Sequence, residues 1–139
     1  MPRSDCCWLP PTADSTAPPG EEPGVLATID VHCSPCGRFL YASNTAYHCI
    51  AIFSIDSGSG ALTIVGHQST LGETPRQFSL SPDGRWMLVC NQDTHTVVSF
   101  AVDQETGLLA PVEGGVVRVG SPTCARFVST ALAVGAAAL

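Results

Sequence analysis

The sequence predicts an all-β chain built from β-propeller blades, and three observations carry that reading. The 139-residue chain repeats itself: Ser34-Pro35-Cys36-Gly37-Arg38 returns as Ser81-Pro82-Asp83-Gly84-Arg85. The same spacing of 47 residues carries Asn44 onto Asn91, His48 onto His95, Phe53 onto Phe100, Asp56 onto Asp103, Gly60 onto Gly107 and Leu62 onto Leu109, without a gap. Each copy also holds four short strand-like runs parted by turn residues. A unit of four short strands at this period is a propeller blade.

The elements follow in order. Thr28–Cys33 is the first strand, and Ser34-Pro35-Cys36-Gly37 is a β-turn with Pro second and Gly fourth. Phe39–Ser43 is a short continuous apolar run, as expected of a strand covered on both faces. Asn44–His48 makes the next turn, Cys49–Ile55 the third strand, Asp56–Gly60 a Gly/Ser turn and Leu62–Val65 the outermost strand. The second copy gives Gln77–Leu80, Trp86–Cys90, Thr96–Val102 and a fourth strand near Leu108–Val112. A third copy begins at Ser121-Pro122 with the strand Cys124–Val128. Both faces of the middle strands are expected to be buried, because blades pack face to face. Phe39, Leu40, Tyr41 and Ala42, and Trp86, Met87, Leu88 and Val89, suit that need.

Three regions result. Residues 1–24 carry Pro2, Pro10, Pro11, Pro18, Pro19 and Pro23 among Ser, Thr and acidic residues, a disordered leader by composition. Residues 25–128 hold the blades, and 129–139 are an apolar, Ala-rich tail that breaks the pattern.

Composition narrows the partners. The net charge is −6, and all six basic residues are Arg. Neutralising phosphates needs a dense cationic face, so neither nucleic acid nor an anionic membrane surface is expected. A small anion needs only one or two Arg. No segment has the run of about 20 apolar residues of a membrane helix. The N-terminus has no apolar signal region, and the seven Cys lack regular spacing. A cytoplasmic chain with reduced thiols is therefore expected.

Positions that recur in every unit are expected to be structural, which covers Arg38 and Arg85 and the turn residues His48 and His95. Cys33 and Cys36 have Cys-x-x-Cys spacing but no second ligand pair, so a turn role outweighs metal or redox chemistry. Non-recurring polar residues are the site candidates. Asp30 and His32 form Asp-x-His on one face of the first strand, where a strand near the propeller axis offers them to the channel. Arg76, after Gly72-Glu73-Thr74-Pro75, suits a clamp for a carboxylate or phosphate.

Taken together, the stretches resemble the seven-bladed lactonase family, which includes the propeller type of 6-phosphogluconolactonase and the fungal carboxymuconate-lactonizing enzymes. The resemblance runs from about Ala27 to Val128, through His32-x-Ser34-Pro35-x-Gly37-Arg38-Phe39-Leu40-Tyr41-Ala42-Ser43-Asn44, Gly72-x-x-Pro75-Arg76-x-Phe78, Ser81-Pro82-Asp83-Gly84-Arg85 and Asn91-Gln92-Asp93. It implies a ligand site at one mouth of the channel and, for the 6-phosphogluconolactonase branch, hydrolysis of 6-phosphogluconolactone in the pentose phosphate pathway of carbohydrate metabolism. No metal or other cofactor is implied. His32 and Asp30 would be catalytic, and Arg76, Asn44 and Gln92 would bind a small anionic sugar lactone. Two departures stand out. Thr45 occupies a position where the family usually carries Arg, and the earlier blades, which supply a His and a Glu in the family, have no counterpart here. The chain reads as the last two blades plus a closing strand. A second reading, of another class, is a non-catalytic propeller fragment that binds a protein or self-associates through exposed blade faces.

Overall fold

The computed structural model describes residues 28–128. The leader 1–24 and the tail 129–139 lie outside the described residues. Eight strands form two four-stranded antiparallel sheets, as predicted: β1 (Thr28–Cys33), β2 (Phe39–Asn44), β3 (Cys49–Ile55) and β4 (Leu62–Ser69), then β5 (Pro75–Leu80), β6 (Trp86–Asn91), β7 (Thr96–Val102) and β8 (Leu109–Arg118). Strand order follows chain order in both sheets. Each sheet is one blade, with β1 and β5 innermost and packed beside each other.

Local chemistry sets the hairpins, and it recurs. The Ser-Pro turns close through Gly37 N to Ser34 O (2.9 Å) and Gly84 N to Ser81 O (2.8 Å). The outer turns close through Gly60 N to Asp56 O (2.8 Å) and Gly107 N to Asp103 O (2.9 Å). Asp56 and Asp103 each accept two backbone amides of their own turn. The Ser59 hydroxyl first, then the amides, hold the Asp56 carboxyl below the usual range, and the Thr106 and Glu105 amides do the same for Asp103. His48 and His95 both take a left-handed backbone, with φ of 51° and 56°. Their Nδ1 atoms accept the amides of Thr74 and Ser121, each at 3.0 Å. The expected turn role of these histidines is thus given a mechanism: each ties the end of one hairpin to the entry of the next blade.

The core lies between the two sheets. Tyr41, Ile50 and Ile52 of the first blade meet Phe78, Met87, Val89, Val98 and Phe100 of the second, all fully buried. Burial alternates along β2 and β7, as it must when one face of a strand is covered. The expectation that both faces of the middle strands are buried is corrected here. Leu40, Ala42 and Leu88 are only half-buried and Trp86 is exposed. The physical reason is that, among the described residues, each sheet packs on one neighbour rather than two.

The joint between the blades is specific. Tyr41 donates its hydroxyl to Gly107 O at 2.9 Å, and burial pushes this phenol up to about 12, so it stays a donor. Arg38 donates to Gln104 O. The ring of Phe39 lies so close to Gly107 that a Cβ there would stand 2.5 Å from Phe39 Cδ1. Residues 122–128 form no ladder, in contrast to the strand expected at Cys124–Val128. They nevertheless run along β5, with Ala125 N held by Gln77 Oε1 at 2.8 Å and Ala125 O accepting from Ser79 Oγ at 2.6 Å.

Candidate functional site

The site candidates divide between the two ends of the inner strands. At the Ser-Pro end, Asp30 and His32 project from one face of β1, as an i, i+2 pair on a strand must. His32 Nε2 lies 3.0 Å from Asp30 Oδ1 and 3.1 Å from Oδ2. The imidazole stands edge-on to Phe78 of the neighbouring blade, with ring centroids 4.9 Å apart and planes at 81°. A carboxylate on Nε2 selects the tautomer with its proton there and leaves Nδ1 as the basic atom. Both side chains are partly exposed.

Asp30 does more than orient His32. Its carboxylate also accepts the amides of Val31 and of Phe78, each at 3.1 Å. The Phe78 bond crosses from one blade to the next. The repeat places Gln77 where the first blade has Asp30, and Gln77 Oε1 accepts Ala125 N in the same way. The residue type changes between copies, yet the inter-blade amide clamp recurs, so Asp30 carries a structural duty that its lack of sequence recurrence concealed.

Beside this pair lies a cleft of about 270 Å³ whose lining includes His32, Pro35, Ser79, Pro82, Arg126 and Phe127. His32, Ser79 and Arg126 are repeat-equivalent positions on three successive innermost segments. They therefore stand at one level around the axis. Arg126 is exposed and makes no ion pair among the described residues. Reading the sequence overlooked it. Carrying the repeat spacing one copy past Ser79 would have found it.

Arg76, Asn44 and Gln92 stand at the other end. Arg76 is the extra residue of a β-bulge, since Pro75 pairs with Asn91 and Gln77 with Cys90. It is exposed and lies three residues before the Ser79 level, roughly 10 Å along the strand. Asn44 is engaged in its own turn, where Oδ1 accepts Ala46 N at 3.0 Å and Tyr47 N at 3.2 Å. Gln92 follows β6 at the same end and donates its backbone amide to Thr74 O at 3.0 Å. The structure does not bring these three beside His32. The cationic side chain that lines the His32 cleft is Arg126.

The Cys-x-x-Cys pair sits on the end of β1 and its turn. Among the described residues no group of three or more His, Cys, Asp or Glu could hold a metal ion. Cys33, Cys36, Cys90 and Cys124 are free thiols, whereas Cys49 is disulfide-bonded, which corrects the expectation of uniformly reduced thiols. Cys36 occupies the turn position that Asp83 holds in the second blade. Asp83 accepts Ser81 Oγ at 2.5 Å and Arg85 N at 3.1 Å. The same donors reach Cys36: the Ser34 hydroxyl first, then the Arg38 amide and guanidinium, bring the thiol down to about 7. Alkylation of Cys36 by iodoacetamide is therefore expected to reach half its limiting rate near pH 7, because only the thiolate reacts. Ser34→Ala should move that midpoint upward and slow alkylation at neutral pH several-fold. Peptide mapping after short pulses at stepped pH reads both.

The family described as lactonase, 7-bladed β-propeller, matches residues 11–127. The chain belongs to that lactonase family. A 6-phosphogluconolactonase of Formosa agariphila is 49% identical over 55 residues, which are 38% of this chain and 16% of that protein. One from Pectobacterium carotovorum is 41% identical over 51 residues, 37% of this chain and 15% of that protein. The structure of a periplasmic gluconolactonase of Pseudomonas aeruginosa superposes with a TM-score of 0.73 at 36% identity, covering 82% of this chain and 31% of that one. A Bacteroides fragilis structure gives 0.68 at 42% identity, covering 72% and 28%. This lactonase-family chain thus spans well under half the length of the relatives it matches. No helix among its described residues is long and apolar enough to cross a membrane.

Proposed function

We propose that this chain hydrolyses a sugar lactone, with a phosphorylated aldonolactone of the 6-phosphogluconolactone type as substrate. One observation carries the reading: a carboxylate-oriented imidazole, His32 on Asp30, shares a cleft with Arg126, a cation without an ion pair among the described residues. The lactonase family and relatives called 6-phosphogluconolactonase and gluconolactonase support the substrate class.

The chemistry follows from the groups present. His32 Nδ1 takes a proton from water as its oxygen adds to the lactone carbonyl, and Asp30 stabilises the imidazolium that forms. The tetrahedral intermediate collapses with cleavage of the ring C–O bond. The imidazolium returns its proton to the ring oxygen, giving a hydroxy acid. Arg126 pairs with the phosphate and sets which end of the lactone faces His32.

The test is hydrolysis of a phosphorylated and an unphosphorylated δ-lactone by the purified 139-residue chain, followed by acid release against the spontaneous rate. Acceleration of both is expected. Losing a charge-assisted contact in Arg126→Ala should raise KM for the phosphorylated lactone by about 10–100-fold and leave the unphosphorylated one nearly unchanged. No acceleration over buffer would overturn the reading, and an unchanged KM would remove Arg126 from it.

A further inference from the structure

We propose that the open face of the second blade binds the open face of the first blade of another copy, so that the chain associates head to tail. The inference does not rest on the lactonase reading. It rests on the joint already present inside the chain. There, Phe39 of the first blade packs under Gly107 of the second, and Arg38 bonds Gln104 O.

The repeat supplies both halves of the same joint a second time, unpaired among the described residues. Trp86 and Arg85 stand on the second blade where the first has Phe39 and Arg38. Phe39 is 6% exposed and Trp86 46%. Gly60 and Leu62 stand on the first blade where the second has Gly107 and Leu109. Leu109 is 7% exposed and Leu62 50%. The fit that Gly107 gives Phe39 is open at Gly60, which shares its backbone angle, φ 73° against 75°, and whose Cβ position has nothing within 4 Å.

Equivalent positions are therefore buried where a neighbouring blade covers them and exposed where none does. The two exposed sets are complementary in the arrangement that the chain itself has already solved. A second copy is the occupant because its first blade carries the Gly60 turn in the required place. Its β1 takes the position along β5 that residues 122–128 hold in the single chain. At each joint so formed, displacing them breaks the Ala125 bonds to Gln77 and Ser79 and takes Arg126 out of the His32 cleft, so the Arg126-lined cleft and that joint exclude each other. The interface is heterologous: one face of each copy meets the other face of the next, which gives rings or short chains rather than an isologous dimer.

Sedimentation equilibrium up to about 100 μM, a range that resolves micromolar association, tests the proposal. Wild type should form discrete oligomers. Trp86→Glu removes one face and Leu62→Glu the other, so each alone should sediment as a monomer, while an equimolar mixture should form a 1:1 heterodimer. Both side chains are exposed, so the charge leaves the fold intact, which far-UV circular dichroism checks. In a Trp8→Phe background, emission from Trp86 should shift to the blue as concentration rises. A monomeric wild type across the range overturns the proposal. So does a Leu62→Glu variant that still dimerises, or a mixture that stays monomeric.

Discussion

Gly107→Ala is expected to destabilise the chain by about 3 kcal/mol, against about 1 kcal/mol for Gly60→Ala. The two glycines share repeat position and backbone conformation, with φ of 75° and 73°. A left-handed conformation costs an L-residue roughly 1–2 kcal/mol, partly offset by the lower chain entropy of unfolded Ala. That contribution is common to both sites. What differs is the space. The added methyl at residue 60 meets nothing within 4 Å, whereas at residue 107 it falls 2.5 Å from Phe39 Cδ1 and 2.8 Å from Cε1. Overpacking of this kind adds about 1–3 kcal/mol. Phe39 is hemmed in, with the Arg38 guanidinium 5.5 Å from its ring centroid, and the nearby Tyr41 bond to Gly107 O resists a backbone shift. Urea midpoints at constant m-value measure both losses. Phe39→Leu should recover part of the Gly107→Ala loss, by about 1 kcal/mol or more in a double-mutant cycle. Equal losses at the two glycines would refute the account of the blade joint.

The second large effect separates the two duties of Asp30. Asp30→Ala removes the acceptor of the Phe78 and Val31 amides and should cost about 1–3 kcal/mol, because an inter-blade N–H is left without a partner. Asp30→Asn keeps a carbonyl oxygen for Phe78 N and should stay within about 1 kcal/mol of wild type. Neither variant can stabilise an imidazolium at His32. On the lactonase reading both should lose about 10²–10⁴-fold in kcat, as should His32→Ala. Stability without turnover in Asp30→Asn is the diagnostic outcome. Full kcat in that variant would leave Asp30 a clamp and nothing more.

The fold was legible because its cues are local. β1, β3 and β7 run between the residues that turn chemistry marked out, since Ser-Pro-x-Gly and Asp-x-x-x-Gly close their hairpins with bonds spanning at most four residues. The outer strands were read too short. β4 and β8 run on to Ser69 and Arg118, and those far ends, half-buried in β4 and largely exposed in β8, lack the alternation that betrays a covered strand. For the site, the i, i+2 geometry of a strand was enough to pair Asp30 with His32. It was not enough to place Arg76, which sits in a bulge near the start of β5, at the opposite end of the inner strands from His32.

What the sequence by itself determined, then, is the repeat: two blades, their hairpins, and the separation of recurring from non-recurring positions. Tertiary structure alone decided which copy of each position is buried, as Phe39 against Trp86 and Leu109 against Leu62 display, because burial depends on a neighbouring sheet and not on the residue. It alone gave Asp30 its bond to Phe78 N, and set Arg126 rather than Arg76 across the cleft from His32. These contacts join residues 48 or more positions apart, beyond the reach of any turn or strand periodicity. Only the packing of one blade on the next brings them together.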